Sequence, residues 1–434
     1  MHLDLVFVRF YKLIKMTKVY QFNACPSTVM HVDLNSAFAT IEQQVNPNLR
    51  GKPIVVAAYN SPGGCILAAS REAKIFGIKT GMRVKEGQRL CSVLQILTPQ
   101  PNLYRRVHLE LRELLKNFSD QVFPKSIDEF VLDFKNFQAL PDLFATARGI
   151  KKRIREEVGE WLTVSIGIAP NRFLAKTASN SKKPDGLVEI NSSNFLAAYG
   201  QLTLPDLHGI AFKNTLRLNS VGIYSVLDMY QAPLSLLRAA FSSINSYYWY
   251  LRLRGWEIDN IEFGRRSFGN SYALPRRIAE KSGLLGLFPI LQKLCEKTGQ
   301  RLRRAGYLAG GIWVSLRFRD GSFWQQSRKL PREVFDSRDI FKVALLTLRE
   351  CKQIKPVHTI AISCFNLVGS KNLQLELFSN REKQVRLMSA IDQTNRRWGD
   401  FTVGPAGLLN LKSEIHDRIS FGNVSLLAKT SGNL

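Results

Sequence analysis

The stretch Val29-Met30-His31-Val32-Asp33-Leu34-Asn35-Ser36-Ala37-Phe38-Ala39-Thr40-Ile41-Glu42 decides how the rest of the chain is read. Residues 29–34 form a short, almost continuous apolar run, the pattern of a strand buried on both faces. Asp33 ends that run. A carboxylate at the edge of a core needs a partner, because burying it unpaired is costly. Further along, Asp128 and Glu129 stand side by side in Ser126-Ile127-Asp128-Glu129-Phe130, directly before a second apolar strand. Two readings are open at this point. In one, Asp33 caps the helix that follows and Asp128-Glu129 make a solvated turn. In the other, the three acids meet and a divalent cation offsets their repulsion. Mg2+ is a hard ion that takes carboxylate and phosphate oxygens. Two such ions roughly 4 Å apart clamp the attacking and leaving oxygens of a phosphoryl transfer.

Working outward, residues 27–190 mix strands and helices. Strands are expected at 29–34, 53–58, 131–134 and 164–168. Helices are expected at 71–76, stopped by Gly77, at 103–118 and at 145–158, the last amphipathic and basic. This is an α/β or α+β core. Residues 192–258 read as helical, with glycine-containing turns at Leu207-His208-Gly209-Ile210 and Val221-Gly222-Ile223. Such a pair of helices and a turn can present backbone N–H groups to a phosphate. Residues 259–267 are polar and basic and suit a linker. Helices at 284–304 and 340–351 with strands at 312–318 and 359–365 then make a second, smaller α+β domain.

The 434 residues carry 61 Lys and Arg against 35 Asp and Glu, a net charge of +26. An excess of cations on folded domains points to a polyanionic partner, most often nucleic acid. Hydrophobic residues make up 45% of the chain, enough for several cores, which excludes a mainly disordered protein. No apolar run approaches the roughly 18–20 residues that span a bilayer. The six cysteines are scattered, with no C-x-x-C pair, so reduced thiols are expected rather than a disulfide scaffold or a zinc site. The first residues put their apolar stretch before their lysines, the reverse of a secretory signal. They read as a disordered tail or as sequence ahead of a start at Met16 or Met30.

The residues around the acids resemble those of a known family. Asp33-Leu34-Asn35-Ser36-Ala37-Phe38-Ala39-Thr40-Ile41-Glu42 resembles the first motif of Y-family translesion DNA polymerases of the bacterial DinB/UmuC type, and Ser126-Ile127-Asp128-Glu129-Phe130 their second. Ala69-Ser70-Arg71-Glu72-Ala73-Lys74, followed by Phe76-Gly77-Ile78-Lys79-Thr80-Gly81-Met82, is similar to their fingers motif. Gly167-Ile168-Ala169-Pro170-Asn171-Arg172-Phe173-Leu174-Ala175-Lys176 and Lys182-Lys183-Pro184-Asp185-Gly186 resemble the third. The order and spacing are the family's, and the resemblance runs from about residue 27 to residue 378.

The resemblance implies an α+β multidomain right-hand polymerase. Its parts would be a tail at 1–26, a palm at 27–190 with fingers inserted at about 36–102, and a helix-hairpin-helix thumb at 191–258. A linker at 259–267, a little finger at 268–378 and a C-terminal extension at 379–434 would follow, the extension with a helix at about 382–398. It implies that Asp33, Asp128, Glu129 and the Leu34 carbonyl hold two Mg2+ ions, with Mn2+ as the substitute. It places Phe38 as the aromatic steric gate that rejects a 2′-hydroxyl, the rival reading being a core residue. Arg71, Lys74 and Lys183 fall where the triphosphate is bound. Arg71 and Lys74 stand where many members have Tyr and Arg, and Ser36 and Ala37 replace larger, often aromatic residues. Ala211 replaces the usual second glycine of the hairpin. Gln374-Leu375-Glu376-Leu377-Phe378 is similar to the pentapeptide that docks bacterial polymerases on the sliding clamp, with Gln374, Leu375, Leu377 and Phe378 as its contacts. The implied partners are primer-template DNA, dNTP and the clamp, with accessory subunits if the chain works as UmuC types do. The implied setting is the cytoplasm. The main alternative is a catalytically silent DNA- and clamp-binding accessory protein, and a second is a nucleotidyl cyclase on a similar palm.

Overall fold

The computed structural model describes residues 20–259, 265–274, 285–353, 355–370 and 381–411. These fall into two units, residues 20–259 in the first and residues 265–411 in the second.

In the first unit, β1 (Val29–Leu34) lies at the centre of a five-stranded sheet. Its neighbours are β6 (Glu129–Asp133) on one side and β7 (Val164–Ala169) on the other, both antiparallel to it. The edges are β5 (Gln121–Pro124) and β8 (Leu187–Glu189). Every residue of β1 and β7 is buried, which explains their largely apolar character, interrupted by His31 and Asp33 in β1 and by Ser165 in β7. Side chains alternate across a strand. Met30, Val32 and Leu34 pack with Val107 and Leu111 of helix α4 (Pro101–Lys116) and with Ala147 and Ile150 of α5 (Leu143–Arg153). The α5 helix ends in a π-helical turn, Ile154–Val158, so the expected helix at 145–158 changes type in its last turn. Val29, His31 and Asp33 face the other side, where α6 (Arg172–Ser181) is packed. Gly167 of β7 permits that packing, since a Cβ there would collide with the backbone of Ala175 and Ser179.

Helix α1 (Ala37–Val45) leaves β1 through Ser36, whose φ of 51° is left-handed. The chain then builds a three-stranded sheet in the order β3-β2-β4 from β2 (Ile54–Ala57), β3 (Ile66–Ala69) and β4 (Gln95–Leu97). Helices α2 (Arg71–Ile75) and α3 (Val84–Leu90) complete a small separate core around Val55, Ile66, Ala73 and Ile78. Ser70 caps α2, its Oγ accepting the Ala73 N–H at 3.2 Å.

After β8 come five short helices: α7 (Phe195–Gly200), α8 (Phe212–Asn219), α9 (Val226–Gln231), α10 (Leu234–Phe241) and α11 (Asn245–Arg252). The turns around Gly209 and Gly222 both use positive φ, 98° and 82°. The expected tail to residue 26 needs correcting at its end. Phe22 stacks on Phe195 at 4.1 Å, Tyr20 meets the Trp256 ring edge at 5.6 Å, and the Asn23 N–H donates to the Arg254 carbonyl at 2.8 Å. The aromatic spacing Tyr20-x-Phe22 supplies apolar surface that a disordered tail would lack.

The second unit is a four-stranded antiparallel sheet, β11-β10-β12-β9, formed by β9 (Ser267–Ala273), β10 (Tyr307–Phe318), β11 (Phe323–Val334) and β12 (Val357–Gly369). Helices α12 (Phe288–Arg304) and α13 (Ser337–Leu348) cover the face bearing Ile312, Val314, Leu316, Ile360 and Ile362. The opposite face is open. There Arg317 lies between Phe323 and Thr359, and Ser315 between Gln325 and Ala361. Strand β11 was not anticipated, because its residues are mostly exposed and polar and it contains Pro331. An edge position tolerates both. Helix α14 (Arg381–Trp398) belongs to this unit. Its Met388 is buried with Leu308 and Phe335, and Asp392 accepts two 2.8 Å hydrogen bonds from Arg303. The expected clamp contacts Gln374, Leu375, Leu377 and Phe378 lie outside the described residues. Among the described residues no helix is long and apolar enough to cross a membrane.

Candidate active site

The strand pairing brings the acids together. Asp33 on β1 is directly opposite Glu129 on β6, and directly opposite residues project to the same face. Asp128 precedes β6 by one residue, and its carbonyl accepts the Leu34 N–H at 2.9 Å. Its side chain accepts a hydrogen bond from the Ser126 hydroxyl. The turn is held from behind by His108 of α4, a buried ring whose Nδ1–H donates to the Ile127 carbonyl at 2.9 Å and which stacks on Phe130. Burial pushes the His108 imidazole down, which suits a neutral anchor.

The electrostatics of the acids differ one from another. Asp128 is pushed up to about 6, chiefly by burial and further by the charges of Asp33 and Glu129. Burial also acts to raise Glu129, but His31 and Lys176 outweigh it and hold that carboxyl at about 2. The Lys176 ammonium lies 2.5 Å from Glu129 Oε2, and His31 Nε2 is 3.6 Å from the same oxygen. At that distance His31 makes no true hydrogen bond, and its Nε2 is buried without one. The other ring nitrogen of His31 meets the Ser179 hydroxyl at 3.1 Å. Asp33 is met by the Lys183 ammonium at 2.7 Å. Each flanking acid therefore has an ammonium partner, and Asp128 carries the uncompensated repulsion. Among the described residues no three metal-ligating side chains are already gathered around one point. Even so, three carboxylates at one end of the sheet, one of them raised to about 6 by burial and by its like-charged neighbours, fit a hard divalent cation, which would offset their repulsion.

Asn35 positions Lys183. Its side-chain oxygen accepts the Asp185 N–H at 2.8 Å, and its amide donates to Ser165 Oγ at 2.9 Å, pinning the 182–186 turn beside the end of β1. The motif resemblance flagged Asn35 without a role. Its signal was an amide at the mouth of a buried strand, where a polar side chain must find partners.

Lys74 Nζ donates to Ser36 Oγ at 2.7 Å, which joins α2 to the start of α1. Arg71 is exposed on the same short helix. Phe38 is 1% exposed and stacks face to face on Tyr104, with ring centroids 4.3 Å apart. The Tyr104 hydroxyl in turn donates to Glu42 at 2.6 Å, and Gln100 donates to the same carboxylate at 2.8 Å. Asp33, Leu34, Asp128, Glu129 and Lys183 thus converge at one end of the sheet, Lys74 reaches Ser36 beside it, and Phe38 forms part of the core beneath. Sequence reading missed His31 and Lys176 as partners of Glu129, and His108 as the anchor of the turn that carries Asp128. His31 and His108 are lone histidines in apolar patterns, and Lys176 is one cation among 61 Lys and Arg.

The impB/mucB/samB family model matches residues 32–180, and the model for the C-terminal domain of the same family matches residues 265–377. A protein named DNA polymerase IV from Moorella thermoacetica is 32% identical over 381 residues, covering 86% of this chain and 94% of its own. One of the same name from Bacillus anthracis is 30% identical over 380 residues, covering 86% and 91%. Among solved structures, a Y-family DNA polymerase chimera, Dbh-Dpo4(243-245)-Dbh, superposes with a TM-score of 0.69 at 25% identity, over 78% of this chain and 99% of that one. An insertion ternary complex of Dbh DNA polymerase superposes with a TM-score of 0.56 at 24% identity, over 78% and 99%.

Proposed function

This chain belongs to the Y family of translesion DNA polymerases, the impB/mucB/samB family, and from that premise we propose how its own residues carry out DNA-directed DNA synthesis. The observation that carries the proposal is the meeting of Asp33 and Glu129 across β1 and β6, with Asp128 crowded between their charges. Two divalent cations, Mg2+ or Mn2+ in its place, held by Asp33, Asp128, Glu129 and the Leu34 carbonyl, would neutralise charge on the α-phosphate and on the leaving pyrophosphate.

The chain's own side chains supply the rest. Lys183 and Lys74 receive the triphosphate of the incoming dNTP, with Arg71 at its outer edge. Lys183 exchanges the Asp33 carboxylate for phosphate oxygens as the nucleotide enters, which frees Asp33. Asn35 keeps Lys183 at the strand end through this exchange. Lys176 remains on Glu129 and fixes its side chain. The reaction joins the primer 3′-oxygen to the α-phosphorus and expels pyrophosphate, so catalysis is a matter of positioning and charge. Phe38, stacked on Tyr104, is a rigid floor beneath the sugar that leaves no room for a 2′-hydroxyl. That role rests on the motif match.

The open face of the β9–β12 sheet lies along the DNA, with Arg317 among its phosphate contacts, and binding weakens steeply with salt. Gln374, Leu375, Leu377 and Phe378 dock the sliding clamp. The working place is the cytoplasm, with accessory subunits if the chain works as UmuC does. Primer extension with Mg2+ and dNTPs tests the reading. Wild type extends and Asp128→Asn does not. A folded, DNA-binding wild type that fails to extend, alone or with a loaded clamp, would favour the silent accessory.

A further inference from the structure

Two side-chain bridges tie α2 to α1. Gln43 donates to Glu72 at 3.1 Å from a buried position, and Lys74 donates to Ser36 at 2.7 Å from an exposed one. The first bridge joins the two helices through a buried amide. The second spends an ammonium on a hydroxyl that water would serve as well, and it does so at a residue in the left-handed region, where a non-glycine backbone is disfavoured. The Lys74 ammonium is also brought near a like charge. Desolvation and the Lys183 ammonium push the Lys74 amine down, with Asp33 pulling the other way. Two converging ammonium groups beside the first turn of α1, whose leading N–H groups have no helical acceptor, make a place that an anion would stabilise.

We infer that Ser36 is a positioning residue for nucleotide binding: its hydroxyl parks the Lys74 ammonium beside Lys183 before the nucleotide arrives, so that the triphosphate meets a preassembled pair of cations. This rests on the triphosphate site proposed above. A smaller, hydroxyl-bearing residue at this position thereby serves the fingers lysine, which is shorter in reach and less directional than an arginine. Ser36 touches Lys74 and acts through it.

The test is steady-state single-nucleotide insertion on a primer-template. Ser36→Ala removes the hydroxyl and keeps the strained backbone. Ser36→Gly removes the hydroxyl and relieves the strain. Both are expected to raise KM for dNTP by about three- to tenfold, the loss of one exposed charge-assisted hydrogen bond, with kcat within about twofold. Added to Lys74→Met, Ser36→Ala is expected to cost nothing further, because its effect passes through the ammonium. An unchanged KM in Ser36→Ala overturns the inference. So does a wild-type KM in Ser36→Gly beside a raised one in Ser36→Ala, which assigns the effect to backbone strain. So do multiplicative effects in the double variant, which assign Ser36 a separate role. A wild type that extends no primer sinks the functional reading itself, an outcome distinct from any of these.

Discussion

In the five-stranded sheet of the first unit helices cover both faces, whereas in the four-stranded sheet of the second they cover one and leave the other open. The consequences for polar residues are opposite. On β1 and at the start of β6 a carboxylate is an intruder beside a buried strand and needs a partner: Lys183 for Asp33, Lys176 for Glu129, and the Ser126 hydroxyl for Asp128. On β10 and β11, Ser315, Arg317, Gln325 and Ser327 occupy the open face with no such demand. Polar side chains in the first sheet are therefore few and fixed, and on the open face of the second they are more numerous and mostly uncharged. On the function proposed above, that difference separates chemistry from grip.

The sharpest test of this contrast is Asp128→Asn. Primer extension should fall by at least about 1,000-fold, as for other losses of transition-state charge stabilisation, while the fold gains. The sign follows from the raised carboxyl. An acid with a folded pKa of about 6 against 3.8 unfolded favours folding while protonated, and that contribution is lost as pH rises through this window. In the presence of a chelator, Asp128→Asn should melt roughly 2–4 °C above wild type at pH 8, with the difference vanishing as pH approaches 4. A variant that loses both activity and stability would break the comparison.

Phe38→Ala should come next. Emptying a buried, stacked ring site costs about 3–4 kcal/mol in a denaturant titration. For that reason the gate must be read from the ratio of ribonucleotide to deoxynucleotide insertion, expected to rise at least about tenfold. A drop in stability with an unchanged ratio would leave Phe38 as core only. In the second unit, Arg303→Ala removes both hydrogen bonds to Asp392 and those to Phe335 and Ser337. It should cost about 2–3 kcal/mol by thermal unfolding and leave extension at 25 °C intact. The smallest effect belongs to the open face. Arg317→Glu should weaken primer-template binding about tenfold or less, reduce the salt slope by about one to two, and spare insertion at saturating DNA. An abolished insertion there would mean that the second sheet is also chemical.

Legibility in the sequence followed the same division. Strands β1 and β7 stood out because two-sided burial writes a continuous apolar run, and the acids stood out because they interrupt or border such runs. Strand β11 did not, since an exposed edge strand has no apolar face to declare itself. The partners of the acids were invisible for a different reason. Lys176 and His31 reach Glu129 from an adjacent helix and strand, so their meeting is a product of sheet register and helix packing rather than of any local pattern. The burial of Phe38 against Tyr104 was equally hidden, because the stack joins α1 to α4 across 66 positions of chain (104 − 38).

Gly167 gives this arrangement its tolerance. The helix that carries Lys176 rests directly on the backbone of β7, so the interval between the ammonium and the acids is gauged by a side chain that is not there. The chemistry at the sheet end is thus exposed to damage from a position with no charge, no hydrogen-bonding side chain and no contact with substrate. A single methyl group, acting as a shim under α6, would detune the centre as surely as the loss of one of its acids, and a survey restricted to polar residues would pass over it.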